Sequence, residues 1–300
     1  MKRVLLTGGT GLVGTDIRKQ LIKAGYKIYL LVNHKVKEAT GINLIYCDMA
    51  DVPSGFFRSL PKVDAVVHAG AVVNIPEDQD EFCLLRKVNM EFSENLFHWV
   101  TSLKKKIPVV YFNSPSFLQK PLEKIITESH PVAPILPYSI SKIWGEKALL
   151  KYTEIFSYRA ISFRISSPIV FDFKLLHETV VKKWISQAKE GKVISVYGKG
   201  ERSQDFVATT DIAEAVMKAI ENKNAKGIYN IASGSMISMS NLAKLISQCF
   251  KIKVKYIKVD CENSDQWNIS IKKAYQDFGF IPKYNSEEVI KKLIDSILGE

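Results

Sequence analysis

The chain has no stretch long and apolar enough to suggest a membrane span. Its 300 residues contain no run of eighteen or more uncharged apolar residues. The N-terminus enters a strand-like pattern directly, without the apolar region and cleavage site of a signal peptide. Hydrophobic residues still make up 46% of the chain, which is enough to bury a full core. We therefore expect a cytoplasmic protein that has no membrane partner.

Cysteine is also scarce. The four residues Cys47, Cys83, Cys249 and Cys261 share no spacing typical of a metal site or a redox motif. We interpret them as reduced, structural thiols, which agrees with a cytoplasmic location, and we expect no bound metal.

A nucleic-acid motif is missing too, although the formal net charge is +11. The lysines are spread through the chain and gather only in short clusters, such as Lys104 to Lys106. A dispersed basic surface favours solubility and anionic small molecules, so we expect no nucleic-acid partner.

The N-terminus is rich in glycine. An apolar run from Arg3 to Leu6 leads into glycines at the spacing G-x-x-G-x-x-G, and an amphipathic segment follows. Such glycines permit a tight turn and let backbone N–H groups approach a pyrophosphate at a helix N-terminus. The pattern predicts a dinucleotide-binding loop, and an ordinary strand–helix turn is the alternative. The predicted cofactor contacts in this loop are Gly8, Thr10, Gly11, Leu12, Val13 and Gly14.

Strand-like and helical patterns alternate through the first half of the chain. The predicted strands lie near 3–7, 27–32, 43–47, 64–68, 108–113 and 159–165, and the predicted helices near 12–24, 82–103, 138–152, 177–190, 211–222, 239–250 and 285–298. This alternation predicts an α/β fold, a Rossmann-like doubly wound parallel sheet with a smaller C-terminal substrate-binding lobe. We assign 1–165 and a return segment at about 205–235 to the dinucleotide-binding domain, and 166–204 with 236–300 to the lobe.

Tyr138 and Lys142 lie four residues apart at the start of a predicted helix, on one of its faces. A free phenol has a pKa of about 10, and a nearby ammonium, helped by an oxidised nicotinamide, stabilises the phenolate and lowers that pKa. The pair is therefore a candidate acid/base centre, and Lys142 can also reach the nicotinamide ribose. A chance pair on a solvated helix is the alternative.

Ser114 follows the predicted strand at 108–113. A serine at the C-terminal end of a strand can hydrogen-bond the substrate oxygen that Tyr138 protonates, so that both residues orient a carbonyl or carbinol for hydride transfer. The alternative is that Ser114 only opens a turn before Pro115. Because all three elements occur in order, we favour the catalytic interpretation.

The glycine loop, this trio and several further segments resemble the extended short-chain dehydrogenase/reductases of the NAD-dependent epimerase/dehydratase type. The resemblance runs essentially from end to end. The segments that carry it are Val67-His68-Ala69-Gly70-Ala71, Lys87-Val88-Asn89, Arg164 to Pro168, Val196 to Val207, Asp211-Ile212-Ala213, Asn268-Ile269-Ser270 and Phe278 to Pro282.

The resemblance implies NAD or NADP in the N-terminal domain and, most often, a nucleotide-linked sugar in the lobe. It makes Ser114, Tyr138 and Lys142 the catalytic trio. It also implies that Asp48 accepts a hydrogen bond from the adenine amino group. The alternative is that Asp48 is only an acceptor within a turn. The other cofactor contacts that we carry over are Met49, Ala69, Gly70, Ala71, Asn89, Tyr138 and Lys142.

A homodimer is implied as well, in which the helices near 82–103 and 138–152 pair across a two-fold axis as a four-helix bundle. The candidate contacts are Leu96, Val100, Trp144 and Ala148, unless these residues belong to the core of one chain.

The cofactor loop after the second strand departs from the NAD pattern. Dinucleotide folds that select NAD usually carry an acidic residue there, which accepts hydrogen bonds from the ribose hydroxyls. This chain has Asn33, His34 and Lys35, with Lys37 close by. Because a 2′-phosphate is then not repelled, we predict NADP as the preferred cofactor over NAD, with Asn33 on the ribose in either case. A solvated basic loop is the alternative.

The substrate side departs from the family pattern too. Dehydratases of the family carry an Asp-Glu pair after the catalytic serine, but Pro115 and Ser116 follow here, so dehydration is disfavoured. Gln204 stands where many members place an arginine, with Arg202 as a candidate substitute, and Ser167 matches a common asparagine. The predicted substrate contacts are Ser116, Ser167, Arg202 and Gln204.

We therefore expect a reductase or epimerase that acts on a keto or hydroxyl carbon of a nucleotide-activated sugar. The predicted NADP preference favours net reduction, because an internally recycled cofactor needs no reducing pool. One alternative is a reductase of a non-sugar carbonyl, which Gln204 and Leu118-Gln119 favour. The other is a non-catalytic cofactor-binding regulator, which the presence of Tyr138 and Lys142 disfavours.

Overall fold

The computed structural model describes residues 1–36, 41–73, 78–103, 105–114, 121, 124–156, 158–259 and 264–299. Its strands, numbered in chain order, are β1 (Arg3–Thr7), β2 (Lys27–Val32), β3 (Ile42–Tyr46), β4 (Ala65–His68), β5 (Pro108–Asn113), β6 (Arg159–Ile165), β7 (Ser167–Ile169), β8 (Ile194–Tyr197), β9 (Ser203–Gln204), β10 (Phe206–Ala208), β11 (Gly227–Ile231), β12 (Ile237–Ser238) and β13 (Val254–Ile257).

Seven of these strands form one parallel sheet in the order β11-β6-β5-β4-β1-β2-β3. The inner strands are buried on both faces, as in β4 and β5, which explains their continuous apolar runs. The chain direction across the sheet reverses between β1 and β4. Ligands of such folds bind in the crevice at this switch point, outside the carboxyl ends of the strands.

The helices lie partly on the two faces of this sheet and partly in the C-terminal part of the chain. They are α1 (Gly14–Lys23), α2 (Phe56–Ser59), α3 (Gln79–Leu85), α4 (Ser93–Ser102), α5 (Pro137–Phe156), α6 (Val180–Lys189), α7 (Thr209–Glu221), α8 (Met239–Phe250), α9 (Lys272–Phe278) and α10 (Ser286–Leu298), and a π-helical segment (Arg86–Phe92) joins α3 to α4. Helices α1 and α7 pack on one face, through residues such as Ile17 and Val216, and α4 and α5 on the other. Within the ranges given above, none of these helices has the length and apolar content needed to cross a bilayer.

A second apolar core lies in the C-terminal part of the chain. It joins α6, α8 and α10 to three small sheets, which pair β10 with β7, β12 with β9 and β13 with β8. Leu12 and Val13, from the glycine-rich loop, also pack against this core. The glycine-rich loop is therefore in contact with the core that supports the predicted substrate residues.

The predicted fold class, a Rossmann-like doubly wound sheet, is confirmed. The strand predicted near 43–47 lies one residue earlier at both ends, and the strand predicted near 64–68 begins one residue later. The predicted helix near 82–103 contains the π-helical segment and begins at Gln79. The division into a dinucleotide-binding domain and a lobe stays a prediction. The short strands β7 to β10, β12 and β13 were not predicted, because two to four residues are too few to show an alternating pattern. The five-residue strand β11, at one edge of the main sheet, was not predicted either.

Two of the four candidate dimer contacts lie elsewhere than expected. Leu96 and Val100 are buried inside the chain, in the core between α4 and the sheet, so they do not form a surface for a second copy. Ala148 packs against the same core, whereas Trp144 is 48% exposed. A period of 3.6 residues indicates which residues share a face, but it does not say whether that face meets the sheet or a partner.

Candidate active site

The glycine-rich loop leaves no room for side chains at the switch point. Gly8 has φ +67°, and a Cβ there would lie 2.5 Å from the backbone nitrogen of Gly70. A Cβ on Gly14 would lie 2.0 Å from the carbonyl oxygen of Gly8. The N-terminus of α1 is thereby held directly against the loop after β1, where its N–H groups can meet an anion. This close-packed backbone fits the pyrophosphate of a dinucleotide.

A buried hydrogen-bonded chain joins the two loops at this switch point. The N–H of Gly70 donates to Thr7 Oγ1 (3.0 Å), which lies 2.6 Å from His68 Nδ1, while His68 Nε2 lies 2.8 Å from Ser93 Oγ. Because Ser93 Oγ donates to the carbonyl of Asn89, His68 Nε2 must donate to Ser93, and Nδ1 accepts from Thr7. Burial lowers the pKa of His68 to about 3, so this imidazole is neutral.

The residues predicted for the adenosine end meet at the carboxyl edge of β2 and β3. Asn33, His34 and Lys35 line one open concavity with Tyr46, and His34 Nδ1 lies 2.8 Å from Asn33 Oδ1. The Asp48 carboxylate accepts a hydrogen bond from the N–H of Ala50 (2.9 Å). This contact agrees with the alternative interpretation of Asp48 as a turn acceptor. A contact between Asp48 and adenine stays a prediction. Lys37 lies outside the described residues.

Asn89 lies in the π-helical segment and is buried. Its Oδ1 accepts from the N–H of Val72 (2.8 Å), and its Nδ2 donates to the carbonyl of Val72 (2.8 Å) and to Ser141 Oγ (3.0 Å). Ser141 Oγ in turn donates to the carbonyl of Tyr138 (2.7 Å). Asn89 therefore connects the segment after Ala71 to the first turn of α5, which is a structural role. A contact between Asn89 and the cofactor stays a prediction.

The three predicted catalytic residues come from two adjacent elements. Ser114 follows β5, while Tyr138 and Lys142 lie in the first two turns of α5, which begins at Pro137, a residue suited to a first helical position. Asn113 bridges the two elements, because its Nδ2 donates to the carbonyl of Lys142 (3.3 Å) and its Oδ1 accepts from the N–H of Ser114 (2.9 Å).

Burial shifts the pKa values of both Lys142 and Tyr138. Lys142 Nζ lies over the Tyr111 ring, 4.0 Å from its centroid, and burial lowers the pKa of Lys142 to about 7, although the charge of Glu146 opposes that shift. Burial raises the pKa of the Tyr138 phenol to about 12. The expected lowering of this pKa by the ammonium together with an oxidised nicotinamide stays a prediction, and in the protein alone burial shifts the pKa in the opposite direction.

The predicted substrate residues meet in a cavity of about 240 Å³ next to Ser114. Ser167, Arg202 and Gln204 line it, and Gln204 Nε2 donates to Ser167 Oγ. Ser116 and its neighbours Pro115, Leu118 and Gln119 lie outside the described residues. The remaining lining residues, which were not predicted as substrate contacts, are Ser166, Pro168, Asp205, Trp267 and Ile269.

Sequence reasoning also missed three residues, Tyr111, Gly145 and Glu146, that shape the surroundings of Lys142. Tyr111 lies in the middle of a strand and looks like ordinary core, and Gly145 looks like an interruption of α5. A Cβ on Gly145 would lie 2.3 Å from the Tyr111 hydroxyl, so the glycine makes room for the ring beneath Lys142. Glu146 lies four residues after Lys142 and is fully buried, and this helical spacing was the one signal that could have marked it.

Known proteins resemble the chain over nearly its whole length. A putative UDP-glucose 4-epimerase of Methanocaldococcus jannaschii is 24% identical over 301 residues, covering 97% of each chain. The human dTDP-D-glucose 4,6-dehydratase is also 24% identical, over 98% of this chain and 89% of that protein. A solved structure, the UDP-N-acetylglucosamine 4-epimerase of Methanobrevibacter ruminantium in complex with UDP-N-acetylmuramic acid, superposes with a TM-score of 0.85 at 23% identity, covering 99% of this chain and 98% of that one.

A family model matches the chain as well. The match extends over residues 4–232, from β1 through β11 to the residue that follows it, and so includes the glycine-rich loop, the predicted trio and the substrate cavity residues Ser167, Arg202 and Gln204. Because it spans well over half of the chain, the protein belongs to the NAD dependent epimerase/dehydratase family.

Proposed function

We propose that the protein is an epimerase of nucleotide-activated sugars, which inverts a hydroxyl-bearing carbon through transient oxidation. The observation that carries this proposal is the bridge made by Asn113, which holds Ser114 against the turn of α5 that bears Tyr138 and Lys142. Ser114 follows the carboxyl end of β5 and lines the substrate cavity. The similarity to two 4-epimerases supports the same reaction.

Tyr138 is the acid and base of the proposed reaction. As a neutral phenol it donates its proton to the carbonyl oxygen of the keto intermediate, and as a phenolate it accepts the proton of the substrate hydroxyl. The raised pKa of about 12 keeps the phenol protonated in the protein alone. Ser114 donates a hydrogen bond to the same oxygen, and charged Lys142 stabilises the phenolate. A bound nicotinamide would supply the hydride acceptor and donor for the substrate carbon.

The dinucleotide is proposed to lie along the carboxyl edge of the sheet. The close-packed glycines of the first loop hold its pyrophosphate at the N-terminus of α1. We propose NADP as the preferred cofactor, because His34 and Lys35 provide positive or hydrogen-bonding groups at the adenosine end, where an acid would select NAD.

Ser167, Arg202 and Gln204 are proposed to bind the substrate. Arg202 is the charged donor of the cavity, which suits a diphosphate, and the paired amide of Gln204 and hydroxyl of Ser167 suit sugar hydroxyls. The sequence argues against dehydration, because neither Pro115 nor Ser116 can act as an acid or base at neutral pH.

We also propose a homodimer, with a corrected interface. Ile140 and Trp144 are exposed by 47% and 48%, lie one turn apart on α5 and continue a stripe that begins at Leu136. Exposed apolar groups at this spacing suit pairing with the same helix of a second copy. Analytical ultracentrifugation of wild type and Trp144→Glu tests this interface. We expect the wild type to be a dimer and the substitution to weaken it. A monomeric wild type would contradict the proposed homodimer.

A panel assay tests the epimerase proposal. Purified protein is incubated with UDP- and dTDP-linked hexoses and with NAD⁺ or NADP⁺, and the sugars are followed by NMR. The expected result is a new epimer without accumulation of reduced cofactor. Net oxidation of NADPH by a keto sugar instead supports the second candidate, a reductase, for which the basic adenosine end is the argument. Loss of water from the sugar contradicts both.

A further inference from the structure

A buried ion pair lies directly beneath the predicted catalytic residues. The Glu146 carboxylate and the Arg164 guanidinium, on α5 and β6, are joined by two bonds, Nη2 to Oε1 (2.7 Å) and Nε to Oε2 (3.2 Å). Their side chains are exposed by 0% and 3%. Such a forked pair fixes both distance and angle, because the planar guanidinium matches the carboxylate in one orientation.

The same carboxylate also contacts the strand that carries the predicted serine. Glu146 Oε2 accepts from Asn113 Nδ2 (3.3 Å) and from Ser162 Oγ (2.8 Å). Asn113 Nδ2 contacts the carbonyl of Lys142 as well, and Asn113 Oδ1 accepts from the N–H of Ser114. One side chain therefore ties together the helix of Lys142, the end of β5 and the neighbouring strand β6.

Arg164 extends these contacts to the segment before α5. Its Nη1 donates to the carbonyl of Glu128 (2.9 Å), and Glu128 Oε1 accepts from the N–H of Asn230 on β11 (2.9 Å). Ile126, in the same segment, bridges to Ile269, which lines the substrate cavity. The ion pair is thus continuous with one wall of that cavity.

We propose that Glu146 is a positioning residue for the reaction: through Arg164 and Asn113 its carboxylate fixes Lys142 and Ser114 relative to each other, and its negative charge favours the charged form of Lys142. This inference rests on the proposed function of the trio. A buried ion pair is often no more stabilising than apolar side chains of the same volume, so stability alone does not account for one at this place.

The charge part of the proposal depends on what surrounds Lys142. The groups that face it are the Tyr111 ring on β5, neutral His68 on β4, Tyr138 and Glu146 on its own helix, and Arg164 behind Glu146. Among these five groups, Glu146 is the anion. Its removal would leave Lys142 near the buried Arg164 guanidinium without the negative charge between them, which disfavours a second positive charge.

The test is a direct titration of Lys142 in wild type and Glu146→Gln. Protein labelled with ¹³C at lysine Cε is titrated by NMR, and the Lys142 signal is assigned by its loss in Lys142→Met. In wild type the midpoint is expected near the pKa of about 7. In Glu146→Gln we expect it to fall by about one pH unit or more. Glu154→Gln, the same change at the exposed end of α5, is the control and should leave the midpoint in place.

Turnover measurements test whether Glu146 also positions the catalytic residues. If Lys142 must be charged, Glu146→Gln loses kcat at neutral pH and recovers part of it as the pH falls, with cofactor affinity retained. Glu146→Asp restores the charge but not the reach, so the midpoint should return while kcat stays low. If Glu146→Gln does not fold, Arg164→Lys decides: kcat is expected to fall tenfold or more, because Lys lacks the fork.

An unchanged Lys142 midpoint in folded Glu146→Gln overturns the proposal, and so does wild-type kcat in Arg164→Lys. The titration needs neither cofactor nor substrate. If the wild-type protein turns over none of the nucleotide sugars, the proposed function fails, while the titration still decides whether Glu146 controls the charge of Lys142.

Discussion

The two ends of the predicted cofactor crevice are built in opposite ways. At the nicotinamide end, Lys142, Glu146 and Arg164 are buried, and hydrogen bonds join them to β5, to β6 and to the segment before α5. At the adenosine end, Asn33, His34 and Lys35 are exposed on a loop, where the structure gives His34 a contact with its own neighbour. The buried end is preorganised for one chemistry, whereas the exposed end can change its ligand preference at little cost in stability.

The largest expected effect lies at the buried end. Tyr138→Phe removes the proton that the proposed mechanism transfers, so kcat should fall by about 10²- to 10⁴-fold while the cofactor still binds. Steady-state kinetics and cofactor titration measure both quantities. Tyr152→Phe, a half-buried tyrosine further along α5, is the matched control and should keep its activity. Full activity in Tyr138→Phe would rule out the acid/base assignment.

The glycine loop provides the next test. Gly14→Ala places a Cβ 2.0 Å from the carbonyl oxygen of Gly8, so the start of α1 must move. We expect a loss of about 1–3 kcal/mol in the free energy of unfolding, or more, together with weaker cofactor binding. Gly11→Ala is the comparison, because its Cβ would make an ordinary contact at 3.4 Å. Equal melting temperatures and equal cofactor affinities for the two variants contradict the predicted close approach.

His68 provides a pH test of the buried end. Its pKa is about 3 in the folded protein, against about 6.5 in an unfolded chain. Since the unfolded state binds the proton first, stability should fall as the pH drops from about 6.5 toward 3, by about 1.4 kcal/mol per pH unit from this residue. Denaturant unfolding of His68→Gln should lack this slope, and His98→Gln, an exposed site, should keep it. A slope shared by all three proteins removes His68 as its source.

The smallest effect is expected at the exposed end. Lys35→Gln should weaken NADPH binding about two- to fivefold, because an exposed ion pair contributes little, and should leave NADH binding unchanged. Lys223→Gln, on a remote surface, controls for the change in net charge. Isothermal titration at low salt measures the difference. Equal losses for both cofactors, or a preference of wild type for NADH, contradict the proposed NADP selection.

Most of the fold and the order of the site could be predicted from the sequence. The strand and helix positions follow from periodic burial, and the glycine loop with Ser114, Tyr138 and Lys142 follows from local spacing. What could not be predicted depends on contacts distant in sequence. Glu146 and Arg164 are eighteen residues apart and meet across a helix and a strand. Likewise, the helical pattern marks Leu96 as an interface residue, but Leu96 packs into the core between α4 and the sheet.

The pKa of Tyr138 illustrates the same limit. Spacing places an ammonium one turn away and so predicts a lowered pKa, but it gives no measure of burial. In the folded protein, desolvation by burial raises this pKa instead.

Epimerisation in D₂O tests the central proposal, hydride transfer between carbon and the cofactor, most directly. A nucleotide sugar with protium at the reacting carbon is converted in D₂O, and the product is analysed by NMR and mass spectrometry. We predict that the inverted carbon keeps its protium, because the hydride that leaves the carbon returns to it from the bound cofactor. Deuterium at that carbon would mean that it exchanges with solvent, and would contradict the proposed use of Tyr138, Ser114 and Lys142.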